Sequence, residues 1–319
     1  MRAGQWTRTE PVRMGGDAPH LLAQTDMLEL CEYFGRTSTF DLVYLDPPFN
    51  VGARFAARLE RGQARGRNAG TSAPAAYADS WGGREQFLEM LRPRLAAVRE
   101  LMTPRATLYL HLDHRTVHYA KVLCDGLFGP GAFRGEIIWA PGNGARRRCG
   151  PSMTHQTLLV FTRDARAHGS FVWNDGDAWL REPYARTSQK MHFRCRGADG
   201  RAFRERHIAG HTYRYYADEG RRIGSIWMDA PAMVANTPIR REATGYPTQK
   251  PERLLERIIR ASSLPGDVVA DLMCGSGTTL VVAARLGRKF IGTDTSHLAI
   301  ETTSRRLQRE GITFRRLFF

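Results

Sequence analysis

The segment Asp271-Leu-Met-Cys-Gly-Ser-Gly-Thr-Thr279 constrains the fold more than any other part of the chain. The apolar run Val268–Asp271 reads as a buried strand that stops at an acidic residue. Gly275 and Gly277 then give a tight turn into the helical pattern Thr278–Leu286. A second strand, Lys289–Thr293, ends at Asp294, 17–19 residues beyond the glycines. Strand, glycine turn, helix and strand in this order call for the crossover connection of an α/β sheet. The glycines let a ligand approach the backbone, and the helix N-terminus presents free N–H groups to a carboxylate or phosphate. An acidic residue at the end of the next strand accepts both hydroxyls of a ribose, by the logic of dinucleotide sites. Together these features point to an adenosine-containing cofactor. The nicotinamide class is disfavoured, because Gly-Ser-Gly is followed here by Thr-Thr-Leu and lacks the third glycine of GxGxxG.

The same alternation extends over most of the chain. Leu21–Gln24 reads as a strand leading to Asp26, and Asp41–Leu45 as a buried strand stopped by Asp46-Pro47-Pro48-Phe49. Two consecutive prolines cannot extend a central ladder, so the backbone must leave the sheet there. Helices are expected at Glu85–Leu101, Thr116–Phe128, Pro251–Ser262 (with proline in the first turn) and His297–Arg309. Further strands are expected at Thr107–Leu112, Glu136–Trp139 and Thr157–Thr162, the last two joined by the basic loop Gly142–Gly150. The pattern becomes irregular from about Asp164 to Thr244. The expected organisation is one α/β domain made of residues 1–163 and 245–319, with 164–244 inserted into it. Arg54–Ser72 carries five arginines and one glutamate. It reads either as a mobile basic loop ordered by a polyanion or as a plain surface insertion.

Charge narrows the partner. The 319 residues hold 47 Lys plus Arg against 32 Asp plus Glu, a net charge of +15. Only four of the basic residues are lysine. Such an excess points to a polyanion, most often nucleic acid, although an arginine-rich genome would also give a basic surface. Residues 141–250 concentrate it, with 19 Lys/Arg and 10 Asp/Glu among interleaved aromatics such as Tyr213, Tyr215, Tyr216, Trp173 and Trp227. Arg146-Arg147-Arg148 reads as a phosphate grip, and Arg194, Arg196 and Arg214 are further candidates for contact with nucleic acid. No apolar run approaches the roughly 18–20 residues of a membrane helix, and Met1–Gly16 lacks the apolar core of a signal peptide. Five scattered cysteines without a CxxC pair fit a reducing cytoplasm. His111, His114 and His118 lack the spacing of a metal site, so no metal is expected.

Three motifs in order carry a resemblance: Asp46-Pro-Pro-Phe49, Tyr246-Pro-Thr-Gln-Lys-Pro251 and Asp271-Leu-Met-Cys-Gly-Ser-Gly-Thr-Thr279. The chain resembles the DNA amino-methyltransferases that use S-adenosylmethionine. With the proline loop first and the glycine turn last, it resembles their beta class, in which the halves of a Rossmann-like fold are circularly permuted. The likeness also takes in Leu108–Asp113, Glu136–Trp139 and Gly245–Ser262. Met273 and Cys274 stand where the family often has aromatic or small residues, and the Arg54–Ser72 loop is longer and more basic than usual.

The resemblance implies a catalytic loop of Asp46, Pro47, Pro48 and Phe49. Asp46 and the Pro47 carbonyl would accept hydrogen bonds from an exocyclic amine and turn its lone pair out of conjugation; Phe49 would stack on the base. It assigns Asp294 to the ribose, Asp26 to the neighbourhood of the adenine, and Thr248, Gln249 and Lys250 to the methionine carboxylate. Asp46, Asp271, Cys274, Gly275, Ser276, Gly277, Thr278 and Ser296 complete the expected cofactor contacts. The target would be a flipped base in double-stranded DNA. Adenine N6 is favoured because related cytosine-N4 enzymes more often carry Ser in place of Asp46; cytosine N4 is the alternative. From other classes come an inactive DNA-binding homologue, which intact Asp46 and both glycines argue against, and an enzyme acting on RNA or protein amines. A homodimer, a cognate restriction endonuclease and a nucleoid-associated cytoplasmic location are expectations from the resemblance alone.

Overall fold

The structure, a computed structural model, describes residues 20–49, 53–56, 75–79, 82–142, 149–167, 169–233 and 242–318. In chain order come β1 (Leu21–Gln24), α1 (Met27–Phe34), β2 (Phe40–Leu45), β3 (Ala53–Ala56), β4 (Ala75–Asp79), α2 (Arg84–Leu101), β5 (Met102–Leu112), α3 (Val117–Phe128), β6 (Phe133–Trp139) and β7 (Gln156–Thr162). They are followed by β8 (Arg181–Glu182), α4 (Arg186–His192), β9 (Cys195–Arg196), β10 (Ala202–Ile208), β11 (His211–Tyr216), β12 (Arg221–Arg222) and β13 (Ile226–Trp227). The chain closes with α5 (Glu252–Ser262), β14 (Val268–Asp271), α6 (Thr278–Arg285), β15 (Lys289–Asp294), α7 (His297–Arg309) and β16 (Arg315–Phe318).

Nine strands form one sheet in the order β13-β6-β7-β5-β2-β14-β15-β1-β16. Its pairings are parallel except the two made by β7, with β5 and β6. Side chains alternate between its faces, and both faces are covered, so the central strands are apolar throughout. Leu21, Ala23, Val43, Leu45, Ala270 and Ile291 pack with α1, α2 and α3 on one side. Leu22, Leu42, Tyr44, Val269 and Phe290 pack with α5, α6 and α7 on the other.

This topology fixes where a ligand fits. From β2 the chain continues through α2 to β5, its neighbour on one side. From β14 it continues through α6 to β15, the neighbour on the opposite side. The connections therefore diverge between β2 and β14, and open α/β sheets bind ligands at the carboxyl ends of strands where this happens. The Asp46–Phe49 loop and the glycine turn leave the sheet at that point.

The expected α/β fold is present, and residues between 164 and 244 join its sheet. Within 164–244, β13 pairs with β6 as the edge strand of the main sheet, and Leu180, Trp227 and Ala230 are buried. The stretch that read as irregular also holds the hairpin β10–β11, extended by β9. Of Arg54–Ser72, residues 54–56 belong to β3, and the rest lies outside the described residues.

Candidate active site

Four parallel strands, β2, β14, β15 and β1, lie side by side and each leads to a carboxylate at the same edge: Asp46, Asp271, Asp294 and Asp26. All four line one cleft of about 430 Å³, within the range of small-ligand sites, roughly 300–1,000 Å³. The cleft also takes in Pro47, Pro48, Phe49, Thr248, Gln249, Lys250, Cys274, Gly275, Ser276, Thr278 and Ser296. Every residue expected on the cofactor except Gly277 thus lies in its wall.

Asp271 and Asp294 lose solvation there. Burial pushes the Asp271 carboxyl up to about 7; Thr279 and the Met273 N–H oppose the shift, and the charges of Asp46 and Asp294 add to it. Burial also raises Asp294, against hydrogen bonds from the Ser296 and Gly275 N–H groups at 2.8 and 2.9 Å. Each Asp294 oxygen is therefore tied to backbone, with a lone pair left to accept a hydroxyl. Asp26 caps α1 by accepting the Leu28 N–H at 2.8 Å and pairs with Arg94 at 2.5 Å.

The glycines divide their roles. At Gly275, with φ 49°, an added Cβ would stand 3.3 Å from the Tyr246 ring, on the cleft wall. At Gly277, with φ 72°, it would stand 2.6 Å from the Thr303 side chain on α7. Gly277 caps α6 and admits α7 at close range, which is a packing role.

The segment before α5 is held by Gln249, whose amide donates to the Glu242 carbonyl at 2.7 Å and accepts from the Thr244 N–H and hydroxyl at 3.0 and 2.8 Å. Expected on a carboxylate, Gln249 instead has its amide taken up by its own loop. Thr248 adopts φ 61°, a left-handed conformation that is strained for a β-branched residue, and it is exposed at the cleft. Lys250 is buried and its ammonium pairs with Asp46 Oδ2, 5.2 Å over the Phe49 ring.

Beneath the proline loop lies a buried aromatic group that the sequence reading did not assign. His111 Nδ1 is 2.7 Å from the Tyr44 hydroxyl and 4.0 Å from Asp46 Oδ1. Its ring packs against Tyr44, Phe49 and Trp139, with centroids 6.0, 5.9 and 5.5 Å away. Burial and the Lys250 charge hold His111 well below the usual histidine range, so the ring is neutral. The signal for this role was weak, since a histidine in an apolar strand reads equally as core. Arg94, also in the cleft wall, sits mid-helix and gave no signal.

The DNA candidates fare differently. Arg146, Arg147 and Arg148 lie outside the described residues. Arg194 and Arg196 are exposed, the latter donating to the Gly200 carbonyl at 3.1 Å. Arg214 is bound through Nε and Nη2 to Glu205 at 3.0 and 2.8 Å, and so is not a free cation.

The DNA methylase family model for N6 and N4 methylation matches residues 40–305, from the first residue of β2 into α7. The chain belongs to this family. It is 27% identical over 313 residues to the type II methyltransferase M.EcaI of Enterobacter cloacae, covering 83% of the chain and 64% of that protein. It is also 27% identical over 303 residues to the DNA adenine methyltransferase YhdJ of Escherichia coli K12, covering 94% of the chain and 86% of that protein. In fold it is similar to the M1.HpyAVI–SAM complex, with TM-score 0.53 and 18% identity over 90% of this chain and 98% of that one. It is also similar to the cytosine-N4-specific PvuII DNA methyltransferase, with TM-score 0.56 and 14% identity over 94% of this chain and 92% of that one. The class expected from the three motifs is thus the class found. No helix among the described residues is long and apolar enough to cross a membrane.

Proposed function

We propose that this chain transfers a methyl group from S-adenosylmethionine to the exocyclic N6 of adenine in duplex DNA, with the base flipped into the cleft. The observation that carries the proposal is the meeting of Asp46-Pro47-Pro48-Phe49 and the Asp271–Thr278 turn in one cleft at the diverging strands. The residues fit the cofactor by charge: carboxylates suit its cationic centres, Asp294 its ribose, and Lys250 with the α6 N-terminus its carboxylate. When bound, it supplies an electrophilic methyl group on a sulfonium.

An adenine amine is a poor nucleophile because its lone pair is delocalised. Asp46 and the Pro47 carbonyl would accept hydrogen bonds from its two N–H groups and turn the lone pair toward the methyl group; as the N–C bond forms and the methyl–sulfur bond breaks, the nitrogen would release one proton past Asp46 to solvent. Lys250 keeps Asp46 charge-balanced before the base arrives, and Phe49 stacks on the base. His111, neutral and packed between Tyr44 and Phe49, positions the loop from below. Positioning and electrostatics supply the rate, and no covalent enzyme intermediate is needed. Flipping costs a few kcal/mol, on the order of 2–5, and stacking returns about 1–3. Residues 164–244 supply target recognition in this reading.

Adenine is favoured by Asp46 and by the likeness to an adenine methyltransferase over 94% of the chain. The fold likeness to a cytosine-N4 enzyme keeps cytosine as the second reading. Nucleoside mass spectrometry of duplex DNA incubated with protein and S-adenosylmethionine tests both. N6-methyladenine is the expected product. N4-methylcytosine would keep the mechanism and overturn the target base. The absence of any methylated base on sequence-rich DNA would overturn the activity.

A further inference from the structure

The hairpin β10–β11 turns at Ala209 and Gly210, both with positive φ, as a tight hairpin turn requires. Residues 205–214 are all exposed, so the outer half of the ribbon is left uncovered by the described residues. Residues opposite one another share a face. One face holds the pairs Phe203/Tyr216, Glu205/Arg214 and His207/Thr212; the other holds Arg204/Tyr215, Arg206/Tyr213 and Ile208/His211.

The two faces handle polarity in opposite ways. On the first, polar groups satisfy one another. Arg214 is bound to Glu205 and lies 4.2 Å over Phe203, His207 Nδ1 is 2.8 Å from the Thr212 hydroxyl, and at the base Arg201 pairs with Asp218 and Glu219. The second has no carboxylate at any paired position. Arg204 is half-buried at its base, near the Tyr184, Phe193 and Tyr215 rings. Beyond it Arg206 makes no side-chain hydrogen bond or ion pair among the described residues. Beside it Tyr213 is 47% exposed, and Ile208 at the tip is 49% exposed.

We propose that this second face, with Arg206 and Tyr213 at its centre, is the surface that the ribbon lays into the major groove of duplex DNA. The deepening rests on the DNA methyltransferase reading above. A major groove about 12 Å wide and 8.5 Å deep admits a two-stranded β-ribbon. Four residues per strand, 205–208 and 211–214, give a reach of about 13 Å, enough to meet base edges. Charge complementarity commits the face to a polyanion: it offers a solvated guanidinium, which pairs bidentately with guanine or grips phosphate, and no negative group of its own. The Arg214 face has already neutralised its cation.

The test uses the full chain and four variants, assayed by methyl transfer to duplex DNA and by fluorescence anisotropy with a labelled duplex over a range of salt. Arg206→Gln and Tyr213→Ala probe the proposed face. Thr212→Val removes the His207–Thr212 hydrogen bond of the opposite face at constant net charge. Arg36→Gln removes one charge from the exposed loop entering β2, at the sheet edge away from the cleft. Arg206→Gln and Tyr213→Ala are expected to weaken duplex binding and raise KM for DNA about tenfold with kcat nearly unchanged. Arg206→Gln is also expected to lower the salt slope by about one. The two controls should stay within twofold of wild type. Face variants that behave like the controls would overturn the proposal while wild-type methylation stands. If the wild type methylates no DNA, the activity reading fails, and the anisotropy comparison still decides the face. Weaker binding of single-stranded DNA alone by the face variants would also overturn the groove assignment.

Discussion

Asp46 is flanked by a cation and a neutral ring, and this shapes how its role can be tested. Asp46→Ala would leave the buried Lys250 ammonium without its carboxylate partner, a costly state. Asp46→Asn removes the same charge but keeps the shape and one acceptor oxygen, so the two variants separate the acceptor's contribution from that of the charge. Both are expected to lower methyl transfer at least about 10²-fold, as loss of an oriented polar group at a reacting centre does, with cofactor affinity within a few-fold of wild type. Equal loss of transfer and cofactor binding in a folded Asp46→Asn protein would show that the aspartate serves the cofactor instead. Asp271 supplies a pH signature. Its carboxyl titrates near 7 in the fold and near 3.9 in an unfolded chain. Between those values the folded state binds more protons, so Asp271's contribution to stability is present near pH 4 and is lost as pH rises through 7. A cationic ligand in the cleft favours the ionised form. Cofactor affinity should therefore rise from pH 6 to 8, with proton release at pH 7. Calorimetry in two buffers of different ionisation heat measures that release, and Asp271→Asn should abolish the buffer dependence. A wild-type binding enthalpy independent of buffer would count against an uncharged Asp271 in the free protein.

The turn between β14 and α6 shows what a single element demands. Gly277 combines a left-handed backbone with a Cβ direction that points into Thr303 at 2.6 Å, and Thr303 is itself buried. Gly277→Ala should therefore destabilise the protein by roughly 1–3 kcal/mol, seen as a fall in the midpoint of thermal unfolding. Gly275→Ala, on the cleft wall against the Tyr246 ring, should weaken cofactor binding more than it lowers stability. Similar stability losses for both, with unchanged cofactor affinity, would make the turn purely structural. The turn was legible in the sequence because a glycine pair after an apolar strand has few other uses. The division of labour between its two glycines was not, since α7 packs there only in three dimensions. The eight-residue α1 is a different case, since Asp26 before it and the apolar Met27, Leu30, Cys31 and Phe34 at helical spacing stand in the sequence. The 164–244 segment looked irregular because its hairpin strands are exposed on both faces and carry arginine, tyrosine and histidine in place of an apolar stripe. Where both faces of a strand are buried, as in β2, β14 and β15, the apolar run alone located it within a residue or two.

Over the whole molecule two electrostatic regimes are separated. Around the cleft, among the described residues, Lys250 pairs with Asp46 and Arg94 with Asp26, and burial raises the Asp271 and Asp294 carboxyls. The net +15 is carried elsewhere, much of it in the arginine-rich 141–250 region. Salt acts on such regimes differently. Exposed charges meeting phosphates release counterions, so duplex affinity falls by about 10³–10⁵ between 50 and 200 mM salt when roughly 6–10 phosphates are contacted. Buried and paired charges are screened far less. Duplex affinity is therefore expected to drop steeply over that range while cofactor affinity changes less than about threefold, both measured on the same preparation by anisotropy and calorimetry. A shallow salt dependence for the duplex would mean that the arginine excess is not the DNA-binding device, and the basic surface would then need another explanation. A steep dependence for the cofactor would mean that the cleft's ion pairs open to solvent before it binds.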